Sequence, residues 1–326
     1  MRSLRTEVDT MEPMHGTREF LRGMGLPGGD SHDLPTSSRR FPDGAQYRIE
    51  IPSVEGPSSL DAVLKAGTTY GVTVHRVSQG TGSFLLTGNE LDEMASTAAA
   101  AGVEVSLFAR PSASWTMSPS ARTAGGAMLT GVAHGQEQVV HAIEDVRRAA
   151  AHGIRSVLIS DLGVLHVFAA MRASGVLPLE MQAKISVMFP VANATTASIL
   201  ELAGANTINI AADLTLAQIA AIRGSVAVPL DIYVESPDSI GGFVRQYEIA
   251  EFVRIASPVY LKFGLRNAPD LYPSGTHLDD LAAQLSSERV RRAALGLELL
   301  AQHMPDAVMS LPRPTDLAIP IPASES

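Results

Sequence analysis

The side chains best suited to chemistry in this sequence stand in or just after short β-branched runs. Glu50 lies in YRIEIP, Lys184 in QAKIS, Asp231 and Glu235 in LDIYVE, Lys262 in VYLKFG, and Asp161 follows SVLIS. Carboxylates and lysines gathered at strand ends can exchange protons with a substrate. Glu50, Asp161, Asp231 and Glu235 could also offer hard oxygen ligands to a divalent metal, magnesium or manganese, with His75 adding a nitrogen. A Schiff base at Lys184 or Lys262 would need a neutral amine, which nearby carboxylates oppose. No Gly-x-Ser-x-Gly, His-Glu-x-x-His or P-loop is present. His141 and Asp145 have helical i, i+4 spacing and read as part of a solvated helix face.

These residues need a scaffold that brings strand ends together. Strand-like runs fall at 47–52, 72–77, 103–109, 154–160, 182–189, 206–211, 228–235 and 259–265, and helical stretches such as Glu90 to Ala101 and Gln136 to Ala151 lie between them. Strands alternating with helices predict parallel βαβ units. Eight of them over about 260 residues predict an α/β fold of one closed (β/α)₈ barrel. An open doubly wound sheet is the alternative, but no Gly-x-Gly-x-x-Gly turn follows the first strand. The predicted layout is an N-terminal extension over 1–46, with a short helix from Thr17 to Met24, the barrel over 47–304, and a proline-rich tail over 305–326. Gly102, Gly153 and Gly204 are placed to end helices.

Strand side chains alternate in direction. Setting the apolar residues toward the helices turns Arg48, Glu50, Ser106, Lys184, Asn209, Asp231, Tyr233, Glu235, Tyr260 and Lys262 toward the barrel axis. His75 and Arg76 cannot both point inward. Barrel interiors usually hold branched aliphatic residues, so this polar axis is either a structural ion-pair network, Lys262 with Glu50 and Asp231, or the floor of a pocket. Lys262, flanked by acidic strands, would stay protonated and suit a proton-donating role; Lys184 would have Asp161 and Asn209 on adjacent strands. The expected catalytic group is Glu50, Asp161, Glu235 and Lys262. Substrate charge would fall to His75, Arg110, Lys184, Asn209 and Arg266, with Gly241 and Gly242 lending backbone N–H groups to an anion site. The long segment 112–135, with Trp115, Gly125, Gly126 and Gly131, is predicted to be a lid.

Composition narrows the function classes. The 326 residues carry a formal charge of −9, from 34 acidic and 25 Lys and Arg residues, with 45% hydrophobic and 18% charged residues. That suits a folded chain and disfavours nucleic acid and anionic membranes as partners. The absence of cysteine excludes disulfides, thiolate zinc sites and a cysteine-ligated iron–sulfur cluster. No signal-peptide pattern or membrane span is read, so a cytoplasmic location is expected. Apolar Leu317, Ala318, Ile319 and Ile321 in the tail suggest packing on a second subunit, hence a homo-oligomer.

The stretch VLISDLGVLHVFAAMRASGVLPLEM, then ANATTASILELAGANTINIAADLTLAQIAAI and VPLDIYVESPDSIGG, resembles the collagenase-like peptidase family. The resemblance implies a TIM-type barrel with Asp161 and Asn193 near the site. The sequence departs from the family pattern in having Glu235-Ser236 in place of His-Gly, Ala212-Asp213 in place of Arg-Glu, and no cysteines. A divergent relative with different chemistry is the expectation. The leading function is an enzyme acting on a small anionic molecule by acid–base or metal-assisted lyase or hydrolase chemistry. A binding or accessory subunit that keeps only the barrel, or a peptidase-like hydrolase, are the alternatives.

Overall fold

The computed structural model describes residues 14–23, 33–110 and 131–322. Eight parallel strands close into a barrel in sequential order: β1 (Tyr47–Pro52), β2 (Arg76–Gln79), β3 (Glu104–Phe108), β4 (Ser156–Ile159), β5 (Gln182–Ile185), β6 (Thr207–Asn209), β7 (Leu230–Glu235) and β8 (Val259–Phe263). A short α1 (His15–Gly23) precedes them. The helices that follow the strands in turn are α2 (Pro57–Tyr70), α3 (Gly88–Ala101), α4 (Gln136–Ala151), α5 (Leu162–Ala173), α6 (Ala194–Leu202), α7 (Leu216–Ser225), α8 (Ile249–Ala256) and α9 (Asp279–His303).

The apolar half of each strand makes the core with the helices. Ile49, Ile51, Val77, Val105, Ile232, Leu261 and Phe263 are fully buried there together with Leu60, Leu91, Phe168 and Phe252 of the helices. Each such side chain contributes roughly 1.5–3 kcal/mol of transfer free energy. Polar side chains start several helices: Asp161 accepts from the Val164 N–H, Asn193 from Thr196, and Thr87 and Thr215 form capping boxes with Glu90 and Gln218. Gly102, Gly153 and Gly204 follow helix ends with φ of 72°, 86° and 101°. Among the described residues no helix is long and apolar enough to cross a membrane.

The strand predicted at 72–77 begins at Arg76 instead. Val72 and Val74 are β-branched, but they form the approach from α2. The ladder starts where Arg76 pairs with Glu50 on one side and Glu104 on the other. Arg76 therefore points to the axis, and His75 stays at the N-terminal edge. Most of the other predicted strands also end short, notably β5, which stops at Ile185 rather than residue 189.

Both chain ends close the N-terminal face of the barrel. Residues 33–46 run past α8, where Ser37 Oγ donates to the Ser257 carbonyl, and Phe41 packs edge-on against Tyr260 at 5.4 Å. The tail crosses beneath β1: Met309 bridges to Tyr47, Asp316 takes two hydrogen bonds from Arg48, and Ile321 N–H donates to Gly153. A Cβ at Gly153 would stand 2.3 Å from the Ile321 carbonyl oxygen, so only glycine lets the tail lie there. Leu317 and Ala318, expected to cover a neighbouring subunit, are buried against this chain's own barrel. The composition of the tail was read correctly as apolar, but the nearest surface able to cover it is the polar floor around Arg48.

Candidate functional site

Inward-facing residues stack in layers along the axis, and almost all of them are polar. At the N-terminal end Arg48 Nε donates to Ser310 Oγ, and its guanidinium lies 3.9 Å from the centre of the Phe41 ring. Above it sit Tyr260, Glu104 and Ser156, and above these Glu50, Arg76, Ser106, Lys184, Thr207 and Asp231. An unpaired charge at this depth costs several kcal/mol, so each ion must find a partner.

Glu50 organises the middle layer. Its Oε2 accepts from Arg76 Nε at 2.8 Å, and its Oε1 accepts from Ser78 Oγ at 2.8 Å, from Lys184 Nζ, and from Lys262 Nζ at 3.1 Å. Asp231 accepts from Arg76 Nη2 at 2.6 Å and lies 3.4 Å from Lys184 Nζ. Arg76 also rests on the Tyr260 ring, 3.6 Å from its centre, and stands 3.7 Å from Glu104. Burial alone would raise the Glu50 carboxyl. Arg76, Lys184 and Lys262 outweigh it and hold the group well below the usual range. Burial, joined by repulsion from Arg76 and Lys262, pulls Lys184 down to about 7, despite Glu50 and Asp231. For Lys262 burial also works against the charge, but Glu50, Tyr233 and Asp231 prevail and push it above its ordinary value.

Lys262 is where this network meets open space. A cavity of about 380 Å³ occupies the C-terminal mouth of the barrel. Its floor is Lys262, Asn209, Ser78, Ser186 and Tyr233, and its walls include Phe108, Leu158, Met188, Ile240 and Pro237. The Lys262 ammonium lies 4.4 Å from the centre of the Tyr233 ring. With the Asn209 amide oriented to satisfy both groups, its oxygen accepts from Lys262 Nζ at 2.8 Å while its nitrogen donates to the Asp231 carbonyl at 3.0 Å. The segment after β8 folds over one side of the mouth. Tyr272 lies against Gly80, where a Cβ would stand 2.3 Å from its ring, and its hydroxyl bonds Ser53. Arg110 forms part of the opposite wall: its Nε donates to the Gly80 carbonyl at 3.1 Å, its guanidinium stacks 4.0 Å from the centre of the Phe108 ring, and burial lowers it to about 10.

The residues singled out by type and spacing divide into two groups. Glu50, Lys184, Asp231, Asn209 and Lys262 converge on the axis, and Arg110 reaches the cavity wall. The others do not join them. His75 lies at the opposite end, its Nδ1 accepting from Ile49 N–H and its Nε2 donating to the Ser310 carbonyl; the strand starts one residue later than its placement at the rim required. Asp161 is the N-cap of α5 and also accepts from Ala133 N–H at 3.0 Å. Glu235 leaves the axis because β7 shifts register against β8 between Tyr233 and Glu235. Its carboxylate accepts from Arg266 N–H and stands 3.8 Å from Arg292 of α9.

Gly241 and Gly242 do form a tight turn with φ of 108° and 62°. The expected anion position beside them is taken by Asp238, whose carboxylate accepts from Asn267 N–H and lies 4.0 Å from Arg266 Nε. The four carboxylates proposed as metal ligands are thus spread over three places. Among the described residues no group of three or more His, Asp or Glu side chains is placed to hold a metal ion. Asp145 is not on a solvated face: it is buried, accepts from Arg110 N–H and Ser83, and burial raises it to about 6. Residues 112–130 of the predicted lid, with Trp115, Gly125 and Gly126, lie outside the described residues; at its far end Ser160 Oγ donates to the Gly131 carbonyl.

Sequence reasoning missed Arg76, Glu104 and Tyr272 as parts of the site and its support. For Arg76 a signal existed, since Val77 on the apolar face forces Arg76 and Ser78 inward. Nothing local marks Tyr272, which reaches the mouth through a long loop.

Residues 127–236 match the model of peptidase family U32. That span runs to the end of β7 and overlaps most of the stretch that carries the resemblance, so through this segment the chain is a relative of that family. Asp161 and Asn193, which the resemblance places near the site, cap α5 and α6 at the C-terminal end of the barrel. No curated protein matches the chain. Among solved structures, the U32 peptidase Mk0906 superposes with a TM-score of 0.41 at 13% identity, covering 74% of this chain and 99% of that one. A native KDPGal structure gives 0.41 at 15% identity over 81% and 99%. A truncated 3-deoxy-D-arabino-heptulosonate 7-phosphate synthase from Thermotoga maritima gives 0.45 at 12% identity over 86% and 94%. At such identity and scores these likenesses carry nothing about chemistry.

Proposed function

We propose that this barrel is an enzyme acting on a small anionic substrate held in the mouth cavity, by acid–base chemistry of lyase or hydrolase type. The observation that carries the reading is the Lys262 ammonium, buried, kept charged by Glu50 and exposed only toward the cavity floor. Barrel enzymes place their sites at this end of the strands. A substrate oxygen that gains negative charge beside Lys262 would be stabilised there in a medium of low dielectric, and the ammonium could hand it a proton. Asn209 would fix the ammonium's direction. Glu50 would hold Lys262 charged and, through Lys184, connect it to a second basic group for reprotonation. The reading invokes no metal step, because Asp161 and Glu235 are engaged away from Glu50 and Asp231.

A second reading has its own support: below the cavity the axis is filled by ion pairs, as a retained scaffold of a binding or accessory subunit would be. The two separate by experiment. Thermal unfolding of the wild type and Lys262→Met, with a panel of small carboxylates and sugar phosphates, should show ligands that raise Tm only in the wild type, and any such ligand should be consumed on incubation. Stabilisation without turnover favours the accessory reading, and equal stabilisation of both chains removes Lys262 from the site.

A further inference from the structure

Given that the mouth cavity is the binding site, a reading on which this step rests, we infer that its ligand is a monocarboxylate with an apolar body, and not a phosphate ester. The observations are the charge balance of the floor, the state of the position where barrels usually bind phosphate, and the chemistry of the walls.

Among the described residues the cations lining the cavity are Lys262 and Arg110, both already engaged. Lys262 shares its charge with Glu50 and its hydrogen bonds with Glu50 and Asn209. Arg110 donates to the Gly80 carbonyl and stacks on Phe108. Below the cavity Arg76, Lys184 and Lys262 meet Glu50, Asp231 and, 3.7 Å from Arg76, Glu104, so the cations are matched by carboxylates even when both lysines are protonated. With no excess of positive charge beneath it, the floor accepts one negative charge beside Lys262 at less electrostatic cost than two. Higher up, Asp270 lines the rim and repels any second negative charge that reaches it.

Barrels that bind phosphate commonly use the loops after the seventh and eighth strands, with free backbone N–H groups. Here a side chain of the protein itself takes that role. Asp238 accepts the Asn267 N–H at 2.5 Å, and its Oδ1 lies 2.8 Å from where a Cβ on Gly242 would be. A phosphate entering the turn would meet a carboxylate.

The walls above the floor favour carbon. Phe108, Leu158, Met188 and Ile240 surround the space over Lys262. A ligand whose carboxylate pairs with Lys262 and the remaining N–H of the Asn209 amide would set a branched or aromatic body among these side chains. Pockets of this size with few convergent polar groups orient a ligand by its charged end and hold it by its apolar one.

The test is calorimetric titration of the full chain with 4-methyl-2-oxopentanoate, pyruvate, inorganic phosphate and glyceraldehyde 3-phosphate. The expected order is 4-methyl-2-oxopentanoate at least tenfold tighter than pyruvate, and both phosphate probes at least tenfold weaker than 4-methyl-2-oxopentanoate. Ile240→Asn, a neutral change in the half-buried wall, should weaken the branched acid tenfold or more and pyruvate, which has no branched body to lose contact, several-fold less. A phosphate probe that binds as well as the branched acid, with Lys262→Met abolishing its binding, would overturn the inference while leaving the proposed function standing. Binding of none of the four would overturn both.

Discussion

Replacing Lys184 by methionine should make the protein less sensitive to pH and no less stable at neutrality. Lys184 is fully buried between Glu50 and Asp231, with Arg76 and Lys262 repelling it, and burial is the largest influence on its charge. Its proton affinity falls from the ordinary 10.5 to about 7. The unfolded lysine therefore binds a proton over a range where the folded one has released it. Stability rises with pH wherever the unfolded state binds more protons, so it should climb from pH 7 toward about pH 10. At 1.36 kcal/mol per tenfold change the climb between pH 7 and pH 10 is about 4 kcal/mol. Lys262 acts in the opposite sense: its raised affinity adds stability that is lost only as pH rises past the ordinary lysine value. Methionine fills much the same space and leaves Glu50 with Arg76, Ser78 and Lys262 as partners. Urea unfolding of wild type and Lys184→Met at matched ionic strength, in steps between pH 7 and pH 10, measures the slope directly. The wild-type curve should rise and the variant's should be nearly flat. Parallel curves would show that Lys184 keeps its proton when buried, and the account of the middle layer would be wrong.

Glu50→Gln should be far more harmful than Lys184→Met, because it strands Arg76, Lys184 and Lys262 around a neutral amide; a loss of roughly 3–5 kcal/mol in chemical unfolding is expected, and a loss below about 1 kcal/mol would mean the layer is solvated. His75, lowered by burial to about 4 from 6.5, is neutral when folded and binds a proton more readily when unfolded, so stability should fall as pH drops from about 6.5 to 4, by up to about 3 kcal/mol. A His75→Phe chain that retains the same acid slope would assign that slope to other groups. Removing residues 311–326 takes Asp316 from Arg48 and uncovers Phe41 and Tyr260; a lowered Tm is expected, and an unchanged one would make the tail an ornament on the surface.

Much of the scaffold was legible because a barrel writes its strands twice, once as apolar positions facing helices and once as the alternation that turns the other residues inward. Lys262, Glu50, Lys184, Asp231 and Asn209 were found that way, and their common axis followed from closure of the sheet. The errors arose where alternation is interrupted. Glu235 follows a register shift that no residue type announces, so counting by twos sent it to the wrong face. His75 and Arg76 differ by one residue, and the β-branched approach Val72 to Val74 pulled the strand boundary toward the helix. For Asp161 a carboxylate after a strand reads equally as a catalytic group or as a helix cap, and the structure shows it capping α5 through the backbone N–H of Val164. Gly241 and Gly242 marked the turn correctly, yet the occupant of that turn, Asp238, lies three and four residues before them and acts through the backbone of Asn267, a partner that only the folded loop supplies.

The tail seated beneath β1 also sets an order of assembly. Tyr47 opens the first strand, but its lower edge is completed by Met309, and the guanidinium of Arg48 donates its two carboxylate hydrogen bonds to Asp316, with Asp43 at 3.7 Å. These contacts join residues separated by most of the chain, the kind of long-range closure that slows folding and leaves intermediates exposed. During synthesis the N-terminal strands emerge first, and Arg48 waits for Asp316 as Phe41 waits for Tyr260 and Leu317. A barrel closed by residues 309–318 can reach its final packing only after they too are free, so a fusion or ligand that holds them away from β1 would trap the protein one step short of the native state.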